Sequence, residues 1–124
     1  MTQKTIKVGI LSFEEFQKRT LAIVRGEYKR KKNEPKIWFE SLQSMAQVLS
    51  PENQALLRLI ADKKPQSLTE LAKLSQRKKS NLSRTLKKLQ AFGIVELTKN
   101  KGRLVPKVKA LNFKIEFGIH LQAA

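Results

Sequence analysis

The sequence predicts an α+β fold, and three patterns along the chain support that prediction. Apolar residues alternate near the N-terminus, recur at helical spacing through the middle, and alternate again after residue 93. Capping and turn residues divide the helical part into several short helices. With 124 residues, of which 40 % are apolar, the chain is long enough for one compact domain with a buried core.

The first elements are a short strand and a helix. Residues 5–10 alternate between apolar and polar side chains, which predicts a strand. Ser12 follows as a potential N-cap, and Glu15 stands at the position that completes a capping box. We expect this helix to run to about Arg25 and to end at Gly26.

A basic tract separates this helix from the next apolar segment. Residues 27–36 are rich in Lys, which indicates a solvated linker or a fraying helix end, or else a segment that rests on phosphates. From Trp38 to Leu49 apolar side chains return at helical spacing. An aromatic and Met stripe of this kind is typical of core packing, so we expect a packed helix there.

Two capping signals divide the following stretch into two helices. Ser50 and Pro51 form a cap with proline at the first helical position, and the helix they open should end near Asp62. Ser67 and Glu70 have the spacing of a second capping box, which opens a short helix. A tight turn comes next.

A third helix, counted from the one that begins at Pro51, is expected over residues 78–91, with Gly93 as its C-terminal cap. The apolar period then changes to two, and residues 100–102 (Asn-Lys-Gly) predict a hairpin turn. Alternation over residues 113–119 predicts a last strand. Its apolar face resembles that of the first strand, so we expect the two to pair, within a subunit or across a dimer.

The order helix, helix, tight turn, helix and two-stranded hairpin is that of a winged helix-turn-helix. The predicted fold is therefore a winged helix-turn-helix with an N-terminal strand-helix extension and a C-terminal strand. Residues 1–37 should hold the N-terminal strand, helix and basic linker. Residues 38–124 should hold the winged helix-turn-helix domain with its C-terminal strand.

The charge balance points to a polyanionic partner. Lys and Arg number 26 against 10 acidic residues, which gives a net charge of +16 and a pI near 10.5. Nucleic acid and anionic membrane surfaces are the usual partners of such chains, and a merely solubilising surface is the alternative. Between residues 77 and 109 there are 11 Lys or Arg residues and one acidic residue, Glu96.

The third helix carries the candidate chemistry. Leu82, Leu86 and Leu89 lie on one side, so polar and basic residues should face outward. Arg pairs with guanine, Asn with adenine, and Ser reaches bases or phosphates. The candidate DNA-binding residues on this helix are Lys78, Lys79, Ser80, Asn81, Ser83, Arg84, Lys87 and Lys88. The alternative is the ordinary exposed face of an amphipathic helix.

The hairpin adds Lys99, Lys101 and Arg103 around a flexible glycine. Such a wing is placed to lie along the DNA backbone or to enter the minor groove, and a solvated turn is the alternative.

No pattern of an enzyme is present, and neither a cofactor nor a metal is expected. The chain has no cysteine, its one histidine, His120, stands alone near the C-terminus, and its glycines are isolated. No stretch approaches 18 consecutive apolar residues, and no signal-peptide core is evident. We therefore expect a cytoplasmic protein, associated with the nucleoid when bound to DNA.

One long segment resembles the MarR-like winged-helix domains of small prokaryotic transcriptional regulators: FESLQSMAQVLSPENQALLRLIADKKPQSLTELAKLSQRKKSNLSRTLKKLQAFGIVEL. When the wing and its GRLVP segment are included, the resemblance covers about residues 39–108. The flanking strands of the family are similar to two further segments, KVGILSFEEF and NFKIEFGI. The resemblance implies base contacts by Ser80, Asn81, Ser83 and Arg84, with Lys87 as an addition. Because such proteins are often the antitoxin of a toxin–antitoxin pair, it also implies a cognate toxin and autorepression.

The leading hypothesis is a sequence-specific regulator that binds double-stranded DNA as a homodimer, with recognition helices about 34 Å apart. The alternative is a protein-interaction module whose main role is toxin neutralisation. An RNA-binding protein is a weaker alternative, because the basic surface lacks interleaved exposed aromatic residues. A ribbon-helix-helix over residues 5–25 is a further alternative.

Overall fold

A computed structural model describes residues 4–119, which form an α+β fold with five helices and five strands. In chain order the elements are β1 Thr5–Ile10, α1 Phe13–Val24, β2 Ile37–Phe39, α2 Leu42–Val48, α3 Pro51–Lys63, α4 Leu68–Ser75, α5 Lys79–Ala91, β3 Val95–Asn100, β4 Arg103–Val108 and β5 Asn112–Glu116.

The first and last strands lie side by side in one sheet. Its strand order is β2-β1-β5, and β1 pairs in parallel with both neighbours. Val8 is in register with Ile37 on one side and with Ile115 on the other. The expected pairing of the two terminal segments is therefore confirmed, and it occurs within one chain.

The two faces of this sheet have different surroundings. Ile6 and Val8 of β1 and Phe39 of β2 are buried on the face that joins the helical core. The Phe39 ring stacks on Phe92, just after α5, with ring centroids 4.5 Å apart. This contact ties the three-stranded sheet to the C-terminal end of α5.

On the other face, Trp38 covers Gly9 so closely that no side chain would fit on the glycine. The guanidinium of Arg19 on α1 lies 4.9 Å from a Trp38 ring centroid and 2.6 Å from a carboxylate oxygen of Glu34. Helix α1 nevertheless contributes no buried residue to the core. Arg19 therefore connects α1 to Trp38 of the sheet and to Glu34 of the linker before β2.

Serine caps define the helix boundaries that the sequence predicts. The side chains of Ser12, Ser50 and Ser67 each accept a hydrogen bond from the backbone N–H three residues later. Pro51 occupies the start of α3, as expected. Helix α4 ends at Gln76, whose positive φ of 58° turns the chain sharply into α5.

The segment from Trp38 to Leu49 differs from the prediction of a single helix. Trp38 and Phe39 belong to β2, and the helix begins only at Leu42, after a capping box built by Ser41 and Ser44. Backbone hydrogen bonds from β1 and its flanks to both ends of β2 favour the extended conformation there. The partner strand is 27 or more residues away, so helical periodicity alone could not reveal it.

Apolar spacing alone predicts that Ala55 on α3 and Leu74 on α4 are buried, but Ala55 is exposed, its neighbour Leu57 is buried in the core, and Leu74 is 41 % exposed. The last strand ends at Glu116 rather than near residue 119. His120 lies outside the described residues. Within residues 4–119, no helix combines the length and apolar character needed to cross a membrane.

Candidate nucleic-acid interface

Helix α5 is held to the core by three leucines. Leu82, Leu86 and Leu89 have no exposed surface, as their spacing predicts. Helix α4 and strand β3 pack against α5. Because the buried stripe fixes the rotation of the helix about its axis, it also decides which side chains face solvent.

The opposite side of α5 forms a cationic surface, here called the basic face. It consists of Lys79, Ser80, Arg84, Lys87 and Lys88, all of which are exposed. Among residues 4–119, none of these four cations makes an ion pair within 4.0 Å. Their charge is therefore available to an external anion. Lys78 and Asn81 are also exposed, whereas Ser83 is half-buried at the margin.

The N-terminal end of α5 has a backbone that is open to a ligand. Its N-cap residue, Lys78, has extended dihedral angles and makes no capping hydrogen bond through its side chain. The first N–H groups of a helix have no partner within the helix, and they carry partial positive charge. No acidic residue occupies the first turn of α5. An anion at this end would meet N–H groups and lysines together.

Arg77 links the turn before α5 to the helix itself. Its guanidinium donates from Nε and Nη2 to Oδ1 of Asn81, at 2.9 and 2.6 Å, and from Nη2 to Oγ1 of Thr85, at 3.1 Å. Its Nη1 atom is buried without a hydrogen-bond partner in the described structure. Asn81 and Thr85 lie four residues apart on one side of α5, and Arg77 stands four residues before Asn81. This spacing is the sequence signal for the contact.

These hydrogen bonds limit which atoms of the Asn81 side chain can pair with a base. Both hydrogen bonds from Arg77 end on the amide oxygen, so the NH₂ group is the part of the side chain left to donate. Bidentate pairing with adenine needs the oxygen and the NH₂ group together. In this conformation Asn81 is suited to an acceptor, such as a phosphate oxygen or a base carbonyl.

The hairpin presents its cations on a tight turn. Strands β3 and β4 are antiparallel, and Asn100 is in register with Arg103. The two residues between them, Lys101 and Gly102, have positive φ values of 53° and 77°, the pattern of a type I′ turn. The hairpin turn predicted from the sequence is confirmed. Lys99, Lys101 and Arg103 are exposed.

The hairpin turn and the start of α5 share one concave surface, which the sequence did not reveal. A cavity of about 610 Å³ is lined by Lys79 from α5, Gly102 and Arg103 from the hairpin, and residues of α4 and its N-cap. Among the latter, Thr69 and Lys73 add polar groups that the sequence did not single out, and Ser67, predicted only as a helix cap, adds another. Helix α4, helix α5 and the hairpin therefore border one space, and they contribute three cations to its lining: Lys73, Lys79 and Arg103.

Acidic residues near this surface are few. Glu70 also lines the cavity, and its Oε2 atom accepts a hydrogen bond from the backbone N–H of Gln66 at 2.8 Å. Glu96 is the one acidic residue between residues 77 and 109. It is in register with Lys107, toward the end of the hairpin away from the turn. The surface thus keeps a strong positive balance. In the described part of the chain, no group of three His, Cys, Asp or Glu residues is arranged to hold a metal ion.

Comparison with known proteins identifies the family. The model of the HVO_A0114 family matches residues 48–115, more than half of the chain, and the chain belongs to that family. The matched region runs from the end of α2 into β5, so it includes the basic face and the hairpin. No curated protein matches the sequence.

Proposed function

We propose that the protein is a sequence-specific transcriptional regulator that binds double-stranded DNA through a winged helix-turn-helix formed by α3, α4, α5 and the β3–β4 hairpin. In this proposal α5 is the recognition helix and enters the major groove, while the hairpin is the wing. The observation that carries the proposal is the shared concave surface, in which the start of α5 and the hairpin turn present Lys79 and Arg103 to one space; neither makes an ion pair within residues 4–119.

The basic face supplies two kinds of contact. Arg84 is exposed near the middle of α5, and its planar guanidinium suits the O6 and N7 atoms of guanine. Lys79, Lys87 and Lys88 are compact charges on flexible stems, which suit phosphates. Specificity is therefore assigned chiefly to Arg84 and the small polar residues beside it, and affinity chiefly to the lysines.

The exposed aromatic residues argue against single-stranded RNA as the target. Phe13 is 64 % exposed and Phe117 is 53 % exposed. Both lie outside the basic face and the hairpin, in α1 and after β5. Base stacking needs aromatic rings interleaved with the cations, and this surface has none among its residues.

A homodimer on a pseudo-palindromic site is part of the proposal, and α1 is the surface assigned to the second copy. Leu21 and Val24 are 51 % and 77 % exposed, and α1 buries no residue. The segment of residues 11–28 has three acidic and three basic residues, in a chain of net charge +16. Two copies can therefore meet there without the repulsion that opposes contact elsewhere.

The second candidate function is capture of a toxin protein. The protein could perform this role alone or together with repression of its own operon. The exposed apolar side of α1 is the observation that favours it, because a partner protein could cover the same residues. Copurification of a stoichiometric partner encoded beside this gene, together with loss of the homodimer, would favour capture over dimerisation.

The proposed DNA binding is tested on the promoter upstream of the protein's own gene. Fluorescence anisotropy with tiled duplexes, and with shuffled duplexes of the same composition, is measured at several salt concentrations. We expect one tile to bind at least about 10³-fold more tightly than its shuffled control at physiological salt. DNase footprinting should protect that tile. Equal affinity for all duplexes at every salt concentration would contradict sequence-specific binding.

A further inference from the structure

A second concentration of cations lies away from the basic face, where strands β1 and β2 begin. A cavity of about 630 Å³ is bordered there by six lysines: Lys4, Lys7, Lys32, Lys36, Lys109 and Lys114. They come from β1 and its start, the linker before β2, the β4–β5 connection and β5. Side chains from four parts of the chain thus converge on one space.

The sheet itself forces two of these cations together. Lys7 on β1 is in register with Lys114 on β5, and paired residues on neighbouring strands point to the same face. Like charges in such positions destabilise a sheet. Glu116 neutralises the charge of Lys7 only: the Lys7 Nζ lies 3.1 Å from the Glu116 carboxylate. The same Nζ donates a hydrogen bond to the backbone oxygen of Asn33 at 2.6 Å.

The charges of the remaining five lysines are not neutralised in this way. Within residues 4–119, none of them makes an ion pair within 4.0 Å. Glu34 is the acidic residue in the lining, and its carboxylate is bound to Arg19 at 2.6 Å. The C-terminal end of α5 at Phe92 and Gly93 also borders the cavity. Its partial negative charge, about half an elementary charge, is small beside five free ammonium groups.

We propose that this cavity binds a soluble oligophosphate, a compact anion with several negative charges such as a nucleoside triphosphate or an inorganic phosphate chain. Its volume falls within the range of small-molecule sites, about 300–1,000 Å³. Lysines are point charges with rotatable donors, and several of them around a concave space suit an anion with phosphates in different directions.

The cavity is distinct from the proposed DNA interface. It meets α5 at the residues that follow its C-terminal end, whereas the concave surface of the interface includes Lys79 at the N-terminal end. A helix of 13 residues separates these two ends by about 20 Å. The inference therefore does not depend on the proposed function.

Binding is tested with inorganic tripolyphosphate and the full-length chain, by isothermal titration calorimetry and thermal unfolding at constant ionic strength. We expect saturable binding of one tripolyphosphate per chain and a rise in Tm. In the double variant Lys36→Gln/Lys114→Gln, binding should weaken by about tenfold or more, because each lost charged hydrogen bond contributes on that scale. Lys18→Gln/Lys63→Gln removes the same charge elsewhere and should bind as the parent does.

Three outcomes would overturn the proposal. One is equal weakening in both double variants, which indicates a general effect of net charge. Another is tripolyphosphate binding that never saturates. The third combines two results: the parent shows no saturable tripolyphosphate binding, and Lys36→Gln/Lys114→Gln loses affinity for DNA. These lysines would then contact the DNA backbone instead. If this variant unfolds, Lys32→Gln/Lys109→Gln, which changes exposed side chains outside the sheet, replaces it.

Discussion

The guanidinium of Arg77 donates two hydrogen bonds to the amide oxygen of Asn81, at 2.9 and 2.6 Å. It thereby joins the turn after α4 to the first turns of α5. The same contact orients the amide group of Asn81 within the proposed interface. One pair of residues thus connects the stability of the α4–α5 corner with the chemistry that α5 offers.

The Arg77–Asn81 contact predicts a measurable coupling energy. Arg77→Ala and Asn81→Ala should each lower the free energy of unfolding, and the double variant should lose less than the sum of the two. Because the pair is partly exposed, we expect a coupling of about 1 kcal/mol. Urea denaturation of the four proteins measures it. Additive losses would show that the hydrogen bonds contribute no net stability.

Arg84 is predicted to determine sequence preference. Arg84→Ala should lose about 1–3 kcal/mol of binding to the cognate duplex and much less on shuffled DNA, because a base contact is lost. Fluorescence anisotropy on both duplexes provides the comparison. Arg58→Ala removes an exposed arginine from α3 and should leave both affinities unchanged. Equal losses on cognate and shuffled DNA would instead assign Arg84 to the backbone.

Lys101 is predicted to contact phosphate. Lys101→Ala keeps a Cβ at the positive φ of the hairpin turn, so the turn should persist while the charge is lost. Affinity should fall similarly for all duplexes, and the slope of log K against log salt should become less steep by about 1. Lys63→Ala is the control with the same charge change. A loss confined to the cognate duplex would contradict a backbone contact.

Gly9 is predicted to be intolerant of any side chain. A Cβ there would lie 2.7 Å from Cε3 of Trp38 and 2.8 Å from Cγ of Pro35, which is too close without movement of one of them. We expect Gly9→Ala to destabilise the protein by about 1–3 kcal/mol in urea denaturation. The cost should be smaller in a Trp38→Leu background. The same cost in both backgrounds would exclude the indole as the cause.

The exposed side of α1 is predicted to mediate dimerisation. Leu21→Glu/Val24→Glu should convert the dimer into a monomer of 14.2 kDa, because two acidic side chains would be buried at the contact. Light scattering coupled to size-exclusion chromatography measures the mass. Leu42→Glu places an acid on a partly exposed apolar site in α2 and should leave the dimer intact. A dimer that survives the α1 double variant would place the contact elsewhere.

Local patterns were sufficient for much of the fold. The serine caps at Ser12, Ser50 and Ser67 and the turn at Lys101–Gly102 lie where the sequence predicts them. The stripe of Leu82, Leu86 and Leu89 is buried as its spacing requires. These features depend on residues within a few positions of one another, so they can be recognised in the sequence. The exposure of the basic face follows from the same stripe.

The predictions failed where a distant partner decides the conformation. Trp38 and Phe39 have the spacing of a helical stripe, yet hydrogen bonds to β1 place them in a strand. One local contact is also absent from the sequence predictions: Arg77 lies in the predicted tight turn, and its guanidinium reaches Asn81 and Thr85 of α5. Exposed apolar residues on α1 could not be distinguished from buried ones, because spacing does not show which helix faces find a partner.

The sequence by itself determined the starts of α1, α3 and α4, the leucine-anchored α5 and the excess of positive charge, because capping, periodicity and charge are local or additive properties. Only the tertiary structure decided where that charge is concentrated. The register of β1 with β5 brings Lys7 beside Lys114, and the packing of the hairpin brings Arg103 to the same cavity as Lys79. Both juxtapositions arise from contacts between segments far apart in the chain, which the order of residues does not reveal.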